Sequence, residues 1–401
     1  RFKNKSNRKH ENKRSMSEFK KCLFLHFGRT YGNLFHKKIY FSDDIKSEYH
    51  QKNFLYIDYT NSLKDEMDNE YNIQNLTSID LLMIKKILFF FLSSLIYCRN
   101  FRTFIGIFKF SFIYFDYLKY GKILSKFKNI NECFFDNDIT SPKELFLALD
   151  EKNIISVCHQ DRFLISFCNT YPTNISNTYY SISSFIKKIL LNSKNYAPDN
   201  IIPAGFWKTG ENLHKSKRYL SQIKKSFNFK KKITVLGQNI PDKWYESKTN
   251  PYNSWKAQIK FFNDVFDLSK TFPDYLFVLR FKDLEWLQND NFKKIVFEIE
   301  KTDNIYLSRD YDVEHYSFLL CKDSDLVVGQ YTSLIDECIS NKIPSLIIDY
   351  NHQVNKIFSK AFDYEKPSIF CQDSKDLETK IKNFFNGEEI YVDVDKFFNF
   401  R

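Results

Sequence analysis

Asp325–Tyr350 reads DLVVGQYTSLIDECISNKIPSLIIDY. An apolar run ends in Gly329 and a short polar turn, apolar residues then recur at helical spacing, and a second apolar run follows. This is the pattern of a strand, a helix and a parallel strand, and it repeats on both sides. Upstream lie ITVLG (233–237), YLFVLRF (275–281) and NIYLS (304–308), and downstream lies SIFCQ (368–372). Ile259, Phe262, Val265 and Phe266 mark a helix between the first two runs, and Phe292, Ile295, Val296 and Ile299 mark one between the next two. With DLVVG (325–329) and SLIID (345–349), six strands alternate with helices, which predicts a complete doubly wound domain.

Toward the N-terminus the pattern is looser. Strands are expected near KIYFS (38–42), NFLYID (53–58), ECFFD (132–136) and IISVC (154–158). Between them, DLLMIKKILFFFLSSLIYC (80–98) has its longest uncharged stretch at Ile87–Cys98. Those 12 residues fall short of the roughly 20 that span a bilayer, so a buried or membrane-facing helix is expected. The segment 100–124 mixes aromatics with Arg102, Lys109, Lys119 and Lys122, as an interfacial helix would, although core packing is the commoner reason for such a pattern. Pro203, Gly205 and Gly210 punctuate NIIPAGFWKTG (200–210), just before the basic linker KSKRYLSQIKKSFNFKKK (215–232).

The expected organisation is therefore a basic arm (1–20), two Rossmann-like domains (21–205 and 206–385) and a tail (386–401). The fold class is α/β, two parallel-sheet domains facing a cleft. At 401 residues, 43% hydrophobic and 27% charged, the chain has ample material for two cores and is not disordered in general. Its 43 Phe and 25 Tyr, with abundant Lys, Asn and Ile, run through every segment and read as base-composition bias. The net charge of +11 favours anionic partners, phosphate or an acidic membrane surface among them. Nucleic acid is disfavoured, because no basic and aromatic stripe is confined to one element. The eight cysteines form no CxxC pair and mostly sit in apolar runs, so buried thiols in a reducing compartment are expected. The chain begins at Arg1 rather than Met, which leaves room for an upstream segment, and no signal peptide is visible.

In an open parallel sheet, ligands sit beyond the carboxyl ends of the strands. After 325–329 come Gly329, Gln330, Tyr331, Thr332 and Ser333, opening a helix with Leu334, Ile335, Cys338 and Ile339 on one face. Ser333, Glu337 and Ser340 share the opposite face. A helix N-terminus with two hydroxyls suits a phosphate, and Glu337 suits ribose or sugar hydroxyls; a plain N-cap with a solvated Glu337 is the competing reading. Arg280 and Lys282 end a neighbouring strand and suggest a diphosphate or sugar-phosphate pocket. Gly237 and Gln238 end the first strand of this half, where a missing side chain lets backbone approach a ligand. The loop is not a GxGxxG fingerprint, so a dinucleotide is disfavoured.

LRFKD (279–283) followed by DLVVGQYTSLIDECISNKIPSLIIDY resembles the C-terminal half of bacterial surface-polysaccharide glycosyltransferases of the GT-B architecture, those of capsule and lipopolysaccharide biosynthesis most of all. SPKELFLALDEKNIISVCHQDRF (141–163) resembles their acceptor-side segment, and the likeness covers roughly 130–385. It implies a nucleotide-sugar donor held by the second half, with Thr332, Ser333 and Glu337 matching the phosphate and sugar contacts. It also implies a glycan or lipid-linked acceptor bound by 21–205, without a cofactor. Asn341 and Lys342 stand where relatives commonly have a small residue or Gly.

An inverting transfer needs a base, expected from the first half: Asp138 in FFDNDIT, or His159 beside Gln160 and Asp161. Asp136-Asn137-Asp138 also spells the Asp-x-Asp of metal-dependent transferases, while Asp323-Ser324-Asp325 spells it at the wrong end of its strand. The phosphate constellation near Ser333 needs no metal, so metal-independent transfer is the favoured expectation. It places the enzyme in the cytoplasm, peripherally on the inner face of the membrane. The alternatives are transfer of an acidic sugar such as Kdo from a CMP donor, a CDP-alditol phosphotransferase of the same architecture, and a catalytically inactive nucleotide-binding scaffold subunit.

Overall fold

A computed structural model describes residues 22–26, 54–58, 70–72, 80–125, 130–135, 138, 142–160, 175–192, 198–206, 228–238, 254–281, 284–309, 316–350, 369–390, 392 and 394–395. The chain divides into two compact units, Arg1–Ala204 with Phe400–Arg401, and Gly205–Asn399.

Unit 1 runs β1 (Cys22–His26), β2 (Phe54–Asp58), β3 (Glu70–Asn72), α1 (Leu81–Ser94), α2 (Phe101–Leu124), β4 (Glu132–Phe135), α3 (Lys143–Glu151), β5 (Ile155–His159), β6 (Thr178–Ser181), α4 (Ser184–Asn192) and β7 (Asn200–Pro203). Its seven strands are all parallel, in the order β3-β2-β1-β4-β5-β6-β7. The runs expected at 53–58, 132–136 and 154–158 are strands. The one expected at 38–42 lies outside the described residues.

Four strands, β1, β3, β6 and β7, were not read from the sequence, the last two for plain physical reasons. β6, TYYS, buries alternate residues and carries no apolar run. β7, NIIP, is the edge strand of the sheet, where a proline at the strand end removes no ladder bond from a neighbour. Pro203 pairs in register with Ser181, so the start of the segment read as the domain boundary is the last strand of the sheet.

Helices α1 and α2 form a hairpin through a short 3-10 turn at Leu95–Tyr97. Asp80 caps α1 by accepting from the Met83 N–H (2.8 Å), and it also pairs with Lys122 of α2 (2.7 Å), which pins the base of the hairpin. Tyr120, Ile123 and Leu124 at the end of α2 are buried, where α2 packs on α3. Core packing does not extend along the rest: most large apolar residues of 81–113 are exposed.

Unit 2 runs β8 (Lys231–Leu236), α5 (Trp255–Thr271), β9 (Tyr275–Arg280), α6 (Lys293–Lys301), β10 (Ile305–Leu307), α7 (Tyr316–Lys322), β11 (Leu326–Gln330), α8 (Ser333–Ser340), β12 (Ser345–Ile348), β13 (Phe370–Cys371) and α9 (Ser374–Phe385). All six strands read from the sequence are present, parallel, in the order β10-β9-β8-β11-β12-β13. This is the doubly wound order, with its reversal between β8 and β11.

The strands bury both faces, which is why they read as unbroken apolar runs. Ile233, Val235, Phe277, Leu279, Leu326 and Val328 face Phe261, Phe262 and Val265 of α5, Ile295 of α6 and Leu377 of α9. On the other face Leu276 and Val278 meet Leu319 and Leu320 of α7, beside which α8 packs.

The amino end of this sheet is pinned by polar contacts. Lys232, almost wholly buried, pairs with Asp323 (2.8 Å), Ser324 meets the Thr234 hydroxyl (2.6 Å), and Asp325 accepts from the Lys232 N–H (2.8 Å). The second Asp-x-Asp is thus a structural fastening.

At Gly329 an added Cβ would lie 2.5 Å from the Leu236 carbonyl oxygen and 2.8 Å from its Cβ. All four tryptophans fall in unit 2, so their fluorescence follows its unfolding alone. We predict that Gly329→Ala lowers the stability of that transition by about 2 kcal/mol or more. Gly106→Ala, in unit 1 and with nothing near its Cβ position, leaves it unchanged. Urea titration by fluorescence checks both.

Candidate functional site

At the carboxyl edge of unit 2 the winding reverses between β8 and β11, and the loops leaving them carry the expected residues. Gln238, after β8, donates its amide to the Tyr331 carbonyl, after β11, and ties the two loops together. Gly237, expected to let backbone approach a ligand, has another use. Its N–H bonds the Arg280 carbonyl (2.9 Å), and the place of its missing Cβ is filled by the Phe281 ring, 1.9 Å away. That ring belongs to a cluster with Phe262, Trp286 and Phe292.

Gln330 ends β11 on the α5 side and is fully buried. Its Oε1 accepts from Gln258 in the first turn of α5 (2.6 Å), while its Nε2 has no partner among the described residues. Thr332 sits at the N-cap of α8 in extended conformation, but its side chain does not cap the helix, and its buried Oγ1 also has no partner among the described residues. Of the first-turn N–H groups of α8, that of Ile335 bonds the Thr332 carbonyl (3.0 Å), and those of Ser333 and Leu334 have no acceptor within the helix.

The middle of α8 is buried all round. Ile335, Cys338 and Ile339 are core as expected, Leu334 is only half-buried, and Asp336 and Glu337 are both buried. Glu337, placed by helical spacing on a face away from the core, is therefore enclosed at 8% exposure. Asp336 was missed. It takes the Tyr331 hydroxyl hydrogen bond on Oδ2, and its Oδ1 has no partner among the described residues. Burial pushes its carboxyl well above the ordinary 3.8; the Tyr331 hydrogen bond opposes this and the Glu337 charge adds to it. The signal was an Asp in a helix whose neighbours on both sides are apolar.

Arg280 is not brought to α8. Its Nε donates to Ser317 of α7 (2.8 Å) and its Nη1 to Ser308 beyond β10 (3.3 Å), so it turns toward β10. β9 is separated from β11 by β8, a distance of about 10 Å at ordinary strand spacing. Lys282 lies outside the described residues. A second polar contact was not foreseen: after β12, Tyr350 donates to Asp264 of α5, with Lys260 over its ring (3.7 Å) and 3.0 Å from the same carboxylate.

In unit 1, Asp138 accepts from the Tyr179 hydroxyl (2.6 Å), and His159 stacks on the Tyr180 ring (4.8 Å). Successive strand residues point to opposite faces, so the two candidate bases attach to opposite faces of the sheet and do not act as a pair. Asp136 lies outside the described residues. Gln160 is buried and accepts from the Ile182 N–H (2.8 Å), tying the ends of β5 and β6 together. Among the described cysteines, Cys133, Cys158, Cys321, Cys338 and Cys371 are buried free thiols.

Two all-parallel Rossmann-type units place the chain in the GT-B fold. No protein-family profile matches it, and no curated protein matches it significantly in sequence. Among solved structures it is similar to UDP-GlcNAc 2-epimerase from Neisseria meningitidis bound to UDP-GlcNAc, with a TM-score of 0.58, 12% identity and 92% of each chain covered. The UDP-GlcNAc 2-epimerase from Methanocaldococcus jannaschii also gives 0.58, at 12% identity over 95% of this chain and 97% of that one. The wall teichoic acid polymerase TagF gives 0.50, at 14% identity over 97% of this chain and 84% of that one. At these identities the likeness is one of fold.

The folded chain keeps a proton on Asp336 that the unfolded chain releases near pH 4. Its contribution is therefore fully present below that pH and is lost as pH rises toward the folded pKa. Asp336→Asn, which cannot ionise, should raise the urea midpoint of unit 2 more at pH 8 than at pH 5. An equal change at both would mean that the folded carboxyl is already ionised.

Proposed function

We propose that the chain is a glycosyltransferase whose unit 2 holds a nucleotide-sugar donor at the reversal between β8 and β11, and whose acceptor is a surface glycan or lipid-linked glycan. The observation that carries this reading is that Gln330 Nε2 and Thr332 Oγ1, both buried, have no partner among the described residues, on the stretch that leads from β11 into the N-terminus of α8. A buried polar group left unpaired costs about 1–3 kcal/mol, so two such groups within three residues read as groups kept for a ligand. The helix N-terminus and the Thr332 and Ser333 hydroxyls take the diphosphate, and Gln330 takes a polar edge of the ligand. Glu337 remains the candidate for a ribose or sugar hydroxyl. Gln238 holds the loop that leads to Thr332 and Ser333 through Tyr331, and Gly237 and Arg280 support the site from within unit 2. Two of the solved structures above are UDP-GlcNAc 2-epimerases, which agrees with a nucleotide-sugar ligand here.

In the transfer, the acceptor hydroxyl loses its proton to a base as the sugar leaves its phosphate, and the α8 N-terminus stabilises the departing charge. The base is proposed from unit 1: Asp138 first, with Tyr179 orienting it, and His159 second. The likeness to two 2-epimerases favours one other reading, in which the same site inverts a centre of the bound sugar without transferring it.

Thermal-shift titration with UDP, GDP, CMP and CDP, repeated on Thr332→Val, Ser333→Ala and Glu337→Ala, tests the site. One nucleotide should stabilise the chain, and Thr332→Val should weaken its affinity about tenfold. No stabilisation by any of the four would end the donor-site reading, and unchanged affinity in all three variants would remove these residues from it. Nucleotide release from a sugar donor supports transfer, whereas isomerised donor with no release replaces it by epimerisation. Asp138→Asn should lower turnover about a hundredfold with donor affinity retained.

A further inference from the structure

The α1–α2 hairpin of unit 1 carries a surface that neither sheet uses. Ile96 (82% exposed), Tyr97 (76%), Phe89 (75%) and Phe101 (75%) lead a set of large apolar side chains facing solvent along 81–113. Elsewhere among the described residues such side chains occur singly, at Leu147, Ile155, Leu191 and Phe297. The hairpin is nonetheless well formed. Asp80 and Lys122 hold its base, Asn100 caps α2 by accepting from the Thr103 N–H (2.9 Å), and Phe90 stacks on Tyr114 (4.7 Å).

Two features say what covers it. Exposure is not confined to one stripe: Phe108 (49%) and Phe110 (61%), two residues apart, point about 160° from each other around α2. A folded partner covers one side of a helix, whereas a continuous apolar medium covers all of them. Charge is the second. Residues 81–115 hold five cations, Lys85, Lys86, Arg99, Arg102 and Lys109, and no Asp or Glu. At the frequency in the whole chain a segment of that length would hold about four acidic residues. Neither helix is long and apolar enough to cross a membrane, so the hairpin has the character of an element that lies in the interface, rings and aliphatic chains among the acyl groups and cations at the headgroups.

We propose that the α1–α2 hairpin docks this protein on the surface of an anionic phospholipid bilayer. The test is flotation of the full chain with vesicles of phosphatidylcholine alone and of phosphatidylcholine with 30% phosphatidylglycerol. No nucleotide is involved, so its failure and that of the donor-site reading are separate events. The chain should float with the anionic vesicles, and Phe89→Asp with Ile96→Asp and Phe101→Asp should reduce the bound fraction at least about tenfold. These three side chains are exposed, so the variant should keep the circular dichroism and thermal midpoint of the parent. Lys85→Glu with Lys86→Glu supplies an independent arm and should remove the preference for anionic over neutral vesicles. Absence of flotation by the parent, or equal flotation by the apolar variant, would overturn the proposal. A parent that dimerises in sedimentation without binding vesicles, with a monomeric variant, would overturn it in favour of a second copy of the chain.

Discussion

The approach of β11 to β8 at Gly329 is the constraint on which the second unit depends. There the β11 backbone lies so close to Leu236 that no side chain fits between them. The contact lies near the carboxyl ends of both strands, and the chain reaches it by winding three strands one way and three the other. Parallel strands buried on both faces leave polar groups no outlet except at the ends, and only one end lies where the winding reverses.

The two ends of this sheet treat their polar groups differently. At the amino end each buried polar group found has its answer: Lys232 with Asp323, Thr234 with Ser324, the Lys232 amide with Asp325. At the carboxyl end the answers are incomplete, with Gln330 using one of its two amide functions, Thr332 declining to cap its helix, and Asp336 satisfied on one oxygen only. Since a half-satisfied buried network is less stable than an apolar core, its persistence at one edge points to a use outside stability.

Unit 2 was legible because its physics is local in sequence: each fully buried strand is an unbroken apolar run, and helices such as α5 and α6 show their buried stripe at regular spacing. What spacing cannot give is direction across the sheet. Arg280 stands at a strand end as expected, yet its side chain turns to Ser308 and Ser317, which are remote in sequence. Helical spacing likewise treats a helix as having one wet face, whereas α8 is enclosed between its sheet and α7, so Asp336 and Glu337 are buried. Unit 1 was harder to read because β6 carries no apolar run and β7 ends in a proline that marks a linker as readily as an edge.

The abundance of phenylalanine, read first as uninformative bias, acquires meaning from its distribution in space. In unit 2, Phe261, Phe262, Phe277, Phe281 and Phe292 are almost wholly enclosed, so the same supply of rings has been absorbed by a core. In the hairpin it has not, although Phe90 and Tyr114 show that rings there find partners where the two helices touch. Bias in base composition acts on a whole chain and cannot decide which rings are buried. It also does not explain why residues 81–131 hold a single acidic residue, Asp116, while residues 132–151 hold six. The contrast between the two units is therefore one of selection on surface, superimposed on a composition they share.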